Sequence, residues 1–391
     1  MKLEKISFDN HKIFKNMEIK ITDNNENILN TIVLIGENGV GKSTLLKEIY
    51  KIFNFKNAFL KELVIENDWA EITCNSATIK VVGTDDELMA IKKLWNEEEK
   101  NNIINRETKV VYMPTEINFE KLNKVDNTFK FTSSFVNTID QNITRNVPSF
   151  IATKINKEIF KNRDKTIGEV IDRICDDING IFDYMDMDVK LIGLSEDENT
   201  VPIFKNKLEK EFDINGLSSG EKQLFLRALS LKFLEVNNSV ILIDEPEISL
   251  HPKWQKKIIK VYENIGENNQ IIMATHSPHI VADIEAKQLR IMKKDNDGIA
   301  VINGDDVDET YGQNVETILK GIMGIDNVRN DDISDKLLKI YELLEKNLFD
   351  TKVYKDIFEY LRKYLGDLDK DIMRIRLEES VRRKKTDVKD K

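Results

Sequence analysis

The sequence predicts an α/β fold. It reads as a parallel, doubly wound sheet with antiparallel strands at its N-terminus, a helical lobe inserted within it, and an α-helical C-terminal region. Three observations predict this. The apolar run TIVLI ends in a glycine-rich loop, and TLLKEIYKIF follows it at helical spacing. Further on, strand-like VILID and IIMAT alternate with helix-like segments, the pattern of parallel strands joined by crossover helices. Past about residue 305 strand signals fade and amphipathic helical patterns take over.

The elements follow in order. KLEKISF, MEIKIT and TIVLI alternate or run apolar between Asn- and Asp-rich turns, and read as strands. The next helix carries Leu45, Leu46, Ile49 and Phe53 on one face. VIEN, EITC and TIKVVG are strand-like, a charged helix is expected around Leu88 to Lys100, and KVVYMP reads as a buried strand. Residues 120–185 look mainly helical, with segments near 150–161 and 166–182, before strand-like VKLIGL and VPIFKN. A helix over 220–236, the strand SVILIDEP, the helix PKWQKKIIKVYENI and the strand NQIIMATHS complete the alternation. LLKIYELLEKNLF places Leu337, Tyr341, Leu344 and Leu348 on one stripe, and VYKDIFEYLRKYL repeats the pattern, so a helical hairpin is expected. The domain reading is a head over 1–304, with its helical lobe at about 55–215, then a helical hairpin region with a basic tail over 305–391.

Composition bounds the function. A chain of 391 residues with 40% hydrophobic and 33% charged residues is globular. Two cysteines, Cys74 and Cys175, form neither a metal-ligand spacing nor a disulfide framework, which fits a reducing compartment. No apolar run approaches about 18 residues and the N-terminus lacks a signal-peptide core, so a cytoplasmic protein with no membrane contact is expected. A net charge of −10 argues against a surface that coats nucleic acid everywhere. The run Arg382 to Lys385 is the obvious cationic candidate for a DNA contact, its plainer alternative being a solvated, frayed end.

The chemistry rests on four landmarks. Gly36, Gly41, Lys42 and Ser43 complete G-x-x-x-x-G-K-[ST], and Glu37, Asn38, Gly39 and Thr44 lie within or beside it. Glycines let such a loop wrap phosphates with its N–H groups. Lys42 is placed to reach the β- and γ-phosphates and Ser43 to ligand Mg²⁺. Chance gives this pattern in roughly one chain of this length in a hundred, and the strand–loop–helix context lowers that further. In VILIDEPE, four apolar residues deliver Asp244 to the carboxyl end of a buried strand, where open α/β sheets bind ligands. Asp244 is suited to hold Mg²⁺ through its water shell, and Glu245 to act as general base on water. LSSGEKQ offers Ser218, Ser219 and Gly220 at a helix start, a weak signal alone. His276 ends the strand NQIIMATHS, where it could reach a γ-phosphate.

In order and spacing these landmarks resemble the ABC-type ATPases: phosphate loop, signature, acidic strand and histidine switch. ISLHP stands where that class has its D-loop. The resemblance implies ATP and Mg²⁺ as cofactors and a composite site, in which Ser218, Ser219 and Gly220 act across a homodimer on ATP held by the other subunit. The stretch from Ser43 to Leu217 is longer than in transporter subunits, and there is no heptad run for long coiled-coil arms. DEPEISLHP followed by ATHSP looks most like the overcoming-lysogenization-defect (OLD) and RecF-like group and its antiphage relatives. INGDDVDET offers Asp306 and Asp308, but no strand-borne Glu precedes them as a Toprim nuclease needs, so no nuclease activity of its own is expected. An ATPase head with a short helical C-terminus, joined at TYGQNVETIL, is similar to the PtuA-type ATPases of Septu and some retron systems. That implies an ATP-sandwiched dimer or higher oligomer, slow hydrolysis, and a separate HNH nuclease partner. The alternative is an ATP-dependent DNA clamp of the RecF type. The chain departs from the class at Ser219, where Gly is common, and at Glu221, where Gln is common. No Q-loop glutamine is evident, with Thr115 and Glu116 in its place, and His11 and Lys12 lie where relatives place an arginine. No aromatic platform for adenine is evident.

Overall fold

A computed structural model describes residues 1–54, 60–96, 108–115, 133–197, 201–295 and 298–389. Glu116 and the end of the expected helix beyond residue 96 lie outside the described residues, as do the side chains from Lys385 onward. The chain divides into two units, Met1–Ile318 and Leu319–Lys391.

The first unit is built on a seven-stranded sheet. Its strands are β3 (Thr31–Gly36), β7 (Val110–Met113), β8 (Val136–Thr138), β12 (Val240–Asp244), β13 (Gln270–Ala274), β14 (Leu289–Asp295) and β15 (Gly298–Asn303), in the order β15-β14-β3-β13-β12-β7-β8. All neighbours are parallel except β14 and β15. Every residue of β7, β12 and β13 is buried, as continuous apolar strands covered on both faces require. The expected doubly wound parallel sheet is present, with the antiparallel N-terminal sheet beside it. The latter has five strands: β1 (Lys2–Phe8), β2 (Glu18–Lys20), β4 (Leu60–Glu66), β5 (Trp69–Cys74) and β6 (Ala77–Val82), in the order β2-β1-β6-β5-β4. The alternation of β5 and β6 puts Ala70, Ile72, Ile79 and Val81 into a shared core with Leu45, Leu46, Ile49 and Phe53 of the helix Lys42–Phe53.

The segment between β7 and β12 carries helices Val147–Lys161 and Ile167–Asn179 and a small antiparallel sheet of β9 (Val189–Leu194), β10 (Pro202–Asn206) and β11 (Glu211–Asp213). Thr166 caps the second helix and Glu169 returns a bond to it, a capping box. The expected single helix over PKWQKKIIKVYENI is instead two short ones, Pro252–Gln255 and Ile258–Glu263, parted at Lys256–Lys257. Only the second buries apolar residues, Ile258, Ile259, Val261 and Tyr262.

The second unit has three long helices: Asp331–Glu345 and Lys352–Leu365 on the two expected segments, and a third, Lys370–Lys389, that the hairpin reading did not include. Ile340, Leu344, Tyr354, Leu361, Ile372 and Ile375 form its core, while Leu348, expected in the stripe, is 41% exposed. The basic run therefore starts inside a helix, where Arg382 pairs with Glu378 and Arg383 with Glu379 at i,i+4 spacing. Among the described residues no helix is long and apolar enough to cross a membrane.

Candidate functional site

β3, β13 and β12 are adjacent and parallel, in a register that sets Asp244 beside Ala274 and Ala274 beside Leu34. Their carboxyl ends therefore lie side by side. The phosphate loop leaves the first, His276 follows the second, and Asp244 and Glu245 end the third. The sheet alone thus brings together side chains from segments more than 200 residues apart in sequence.

Gly36 turns the chain out of β3 at φ +151. A Cβ there would lie 2.2 Å from the carbonyl oxygen of Met292 on β14, so close packing between strands requires glycine. Glu37, Asn38 and Gly39 are exposed, and Gly41 precedes the helix in the left-handed conformation. That helix has no side-chain cap and no acidic residue in its first turn, so its free N–H groups suit an anionic ligand. Lys42 is buried and donates to the carbonyls of Gly36, at 2.9 Å, and Glu37, at 3.2 Å. Burial lowers its pKa, opposed by the charges of Glu245, Asp244 and Glu247. An ammonium lodged on loop carbonyls is well placed to turn to a phosphate. Thr44 follows Ser43 in the first turn of the helix.

The Ser43 hydroxyl donates to Asp244 Oδ1 at 2.9 Å, and the Tyr112 hydroxyl donates to Oδ2 at 3.4 Å. A hydroxyl and a buried carboxylate converging at the helix N-terminus fit the hard oxygen set that Mg²⁺ takes beside phosphates. Burial first, then Asp244, pushes the Tyr112 phenol far above its ordinary pKa, so it stays a donor. Glu245 sits at φ +44, a strained conformation for a non-glycine residue. Its Oε1 lies 3.8 Å from His276 Nε2. Burial and the Lys42 charge lower the His276 pKa against the pull of Glu245 and Asp244, so the ring is neutral at pH 7.

Ser218 caps the helix Ser219–Phe233 and forms a capping box with Glu221, which gives that Glu a local role. Ser218 and Ser219 are exposed, whereas Gly220 is buried against the turn after Glu245. A Cβ on Gly220 would lie 2.5 Å from the Ser249 carbonyl oxygen. Of the sequence-predicted residues, Lys42, Ser43, Asp244, Glu245 and His276 come together in one cluster, whereas Ser218 and Ser219 are presented to solvent and Gly220 packs on the turn at Ser249. Thr115, at the expected Q-loop position, offers its main-chain carbonyl to Arg227 at 2.7 Å, and Pro114 does the same at 2.9 Å. His11 accepts main-chain N–H bonds from Ile13 and Phe14.

Tyr112 and Glu247 also belong to the cluster, and sequence reasoning missed both. Tyr112 was legible as buried-strand residue only, and its contact with Asp244 depends on strand order. The Glu247 carboxylate accepts from the Thr275 hydroxyl and from the His276 N–H, each at 2.7 Å.

Comparison with known proteins gives related chains. The probable ATPase of retron Vc95 from Vibrio cholerae is 22% identical over 93% of this chain and 87% of its own length. The Septu protein PtuA of Bacillus thuringiensis is 39% identical over 23% of this chain and 24% of its own. The SMC head domain from Thermotoga maritima matches 78% of this chain over 99% of its own length at 15% identity, with a TM-score of 0.39. The family described as "AAA domain, putative AbiEii toxin, Type IV TA system" matches residues 87–282, half of the chain, and so takes in the signature, the acidic strand and His276. With its phosphate loop preceding that match, the chain belongs to this AAA-domain family and is similar to a probable retron ATPase and to Septu protein PtuA.

Proposed function

We propose that this chain is the ATP-binding and ATP-hydrolysing sensor-regulator subunit of a cytoplasmic bacterial antiphage defence complex. Two heads close around ATP, and the closed state controls a separate nuclease of the HNH type. The observation that carries the ATPase part is the convergence of Ser43, Asp244, Glu245 and His276 at adjacent strand ends beside Lys42. The similarity to a retron ATPase and a Septu protein supports the defence setting.

In this reading Glu37, Asn38, Gly39, Gly41, Lys42 and Thr44 cradle the phosphates, with Lys42 neutralising charge at the transferred group. Ser43 and Asp244 would hold Mg²⁺, which would supply Lewis acidity beside the phosphates. Glu245 accepts a proton from the attacking water, and neutral His276 donates a hydrogen bond toward the γ-phosphate. Exposed Ser218 and Ser219, with Gly220 behind them, complete the partner head's site. Hydrolysis is slow and serves release. The nuclease chemistry belongs to the partner, and any assembly above a dimer needs a surface other than the paired heads.

The test is native mass spectrometry of the Glu245→Gln variant, coexpressed with the products of neighbouring genes, with and without ATP and Mg²⁺. The reading expects an ATP-dependent dimer bound to a nuclease subunit. An ATP-dependent dimer with no protein partner, together with hydrolysis by the parent chain that DNA stimulates and that collapses steeply with salt, would replace it with the DNA clamp.

A further inference from the structure

Glu247 has no part in the chemistry above, yet it sits within it. One carboxylate oxygen takes two 2.7 Å bonds, from the Thr275 hydroxyl and the His276 main-chain N–H. The other oxygen is buried with no hydrogen-bond partner. Burial raises the Glu247 pKa, and its bonds to Thr275 and His276 work against that rise. Leaving a buried carboxyl oxygen unpaired is costly, because it gives up hydration without a replacement bond. A residue needed only to tie down a loop would not require that arrangement, and such costs concentrate where geometry is demanding.

The main chain of Glu247 is equally engaged. Its carbonyl accepts from the Leu250 N–H at 2.9 Å, closing a turn over residues 247–250. Within that turn Ser249 holds φ +65 and sets its carbonyl against Gly220, at the start of the signature helix. A continuous chain of contacts thus runs from Gly220 through Ser249 and Glu247 to His276, whose imidazole stands 3.8 Å from Glu245.

We propose that Glu247 is a positioning residue that ties His276 to the turn 247–250, so that the seating of the signature helix on this turn sets the aim of the imidazole. The proposal rests on the ATPase reading. It makes hydrolysis at each head responsive to its own signature, the segment expected to engage the partner.

The experiment compares full-length Glu247→Ala and Glu247→Gln with the parent chain, measuring kcat and, separately, affinity for a fluorescent ATP analogue. Displacing a reacting group by about 1 Å lowers rate by roughly 100-fold. Glu247→Ala is therefore expected to lower kcat by about that factor while analogue affinity stays within about twofold. Glu247→Gln keeps a carbonyl oxygen that accepts both bonds, and is expected to stay within about fivefold of the parent kcat. Should Glu247→Ala fail to fold, Thr275→Val removes one of the two bonds and is expected to lower kcat with affinity unchanged. An alanine variant with near-parental kcat overturns the proposal, as does one whose affinity falls in step with its rate. A glutamine variant as impaired as alanine also overturns it, since charge rather than placement would then be the requirement. A parent chain that binds the analogue but hydrolyses no ATP would instead sink the ATPase reading, and this proposal with it.

Discussion

Gly220→Ala tests whether the two halves of the proposed composite site can be separated. The added Cβ would stand 2.5 Å from the Ser249 carbonyl oxygen, with Trp254 at an ordinary 3.7 Å. Real Cβ atoms essentially never come within 3.0 Å of a neighbour, so helix and turn must part by some tenths of an ångström. Neither side yields easily. Gly220 is in the first turn of a capped helix, and Ser249 already holds a left-handed φ that costs about 1–2 kcal/mol. Overpacking of this kind costs about 1–3 kcal/mol. If the strain falls on the surface that meets the partner head, ATP-dependent association weakens by about 5- to 150-fold. The P-loop contacts of Lys42 and Ser43 do not involve Gly220, so ATP affinity of the single head should stay within about twofold. Sedimentation velocity with ATP and Mg²⁺, in a Glu245→Gln background, reads the first quantity, and equilibrium binding of a fluorescent ATP analogue to dilute protein reads the second. A variant that dimerises like its parent, or loses both properties together, would refute the separation.

Three further outcomes are expected. Lys42→Ala removes a charge-assisted contact to phosphate worth about 1.5–3 kcal/mol, so ATP affinity measured by calorimetry should fall by at least about tenfold. Tyr112→Phe leaves the ring packing and deletes only the donor to Asp244, so the Mg²⁺ concentration for half-maximal ATP binding should rise by about two- to fivefold with melting temperature nearly unchanged. Because the folded-state pKa of His276 is lowered, the unfolded chain binds that proton more readily, and stability from this group is present at neutral pH and lost as pH falls below the ordinary histidine value through the lowered folded one. Hydrolysis should decline at the acid end of that window, where the folded chain takes up the proton, and His276→Ala should remove that part of the pH profile.

Much of the site was legible because its motifs are local. The phosphate loop, the acidic strand end and His276 each announce themselves within a few residues, and parallel strands then bring them together without further instruction. What sequence reading missed depends on contacts between distant segments. β14 and β15 form a hairpin whose LRIM half is buried while Lys293, Lys294 and Asp295 run into solvent, so no strand-length pattern is complete. The last helix buries chiefly Ile372 and Ile375 and draws support from charged i,i+4 pairs, which periodicity of apolar residues does not register. Glu247 looks like one more acid in DEPE until β12 and β13 are set side by side and its carboxylate meets Thr275 and His276.

The packing of Gly36 against Met292 changes what different positions of the loop can reveal about ancestry. Gly36 is held by strand spacing as well as by any nucleotide, whereas the Lys42 ammonium hydrogen-bonds loop carbonyls and feels the charges of Glu245, Asp244 and Glu247. A descendant that had abandoned nucleotide chemistry would still be under selection to keep the glycine, and would be free to drift at the lysine. Across such a lineage, a retained glycine testifies to an intact sheet, and a retained lysine to a working site.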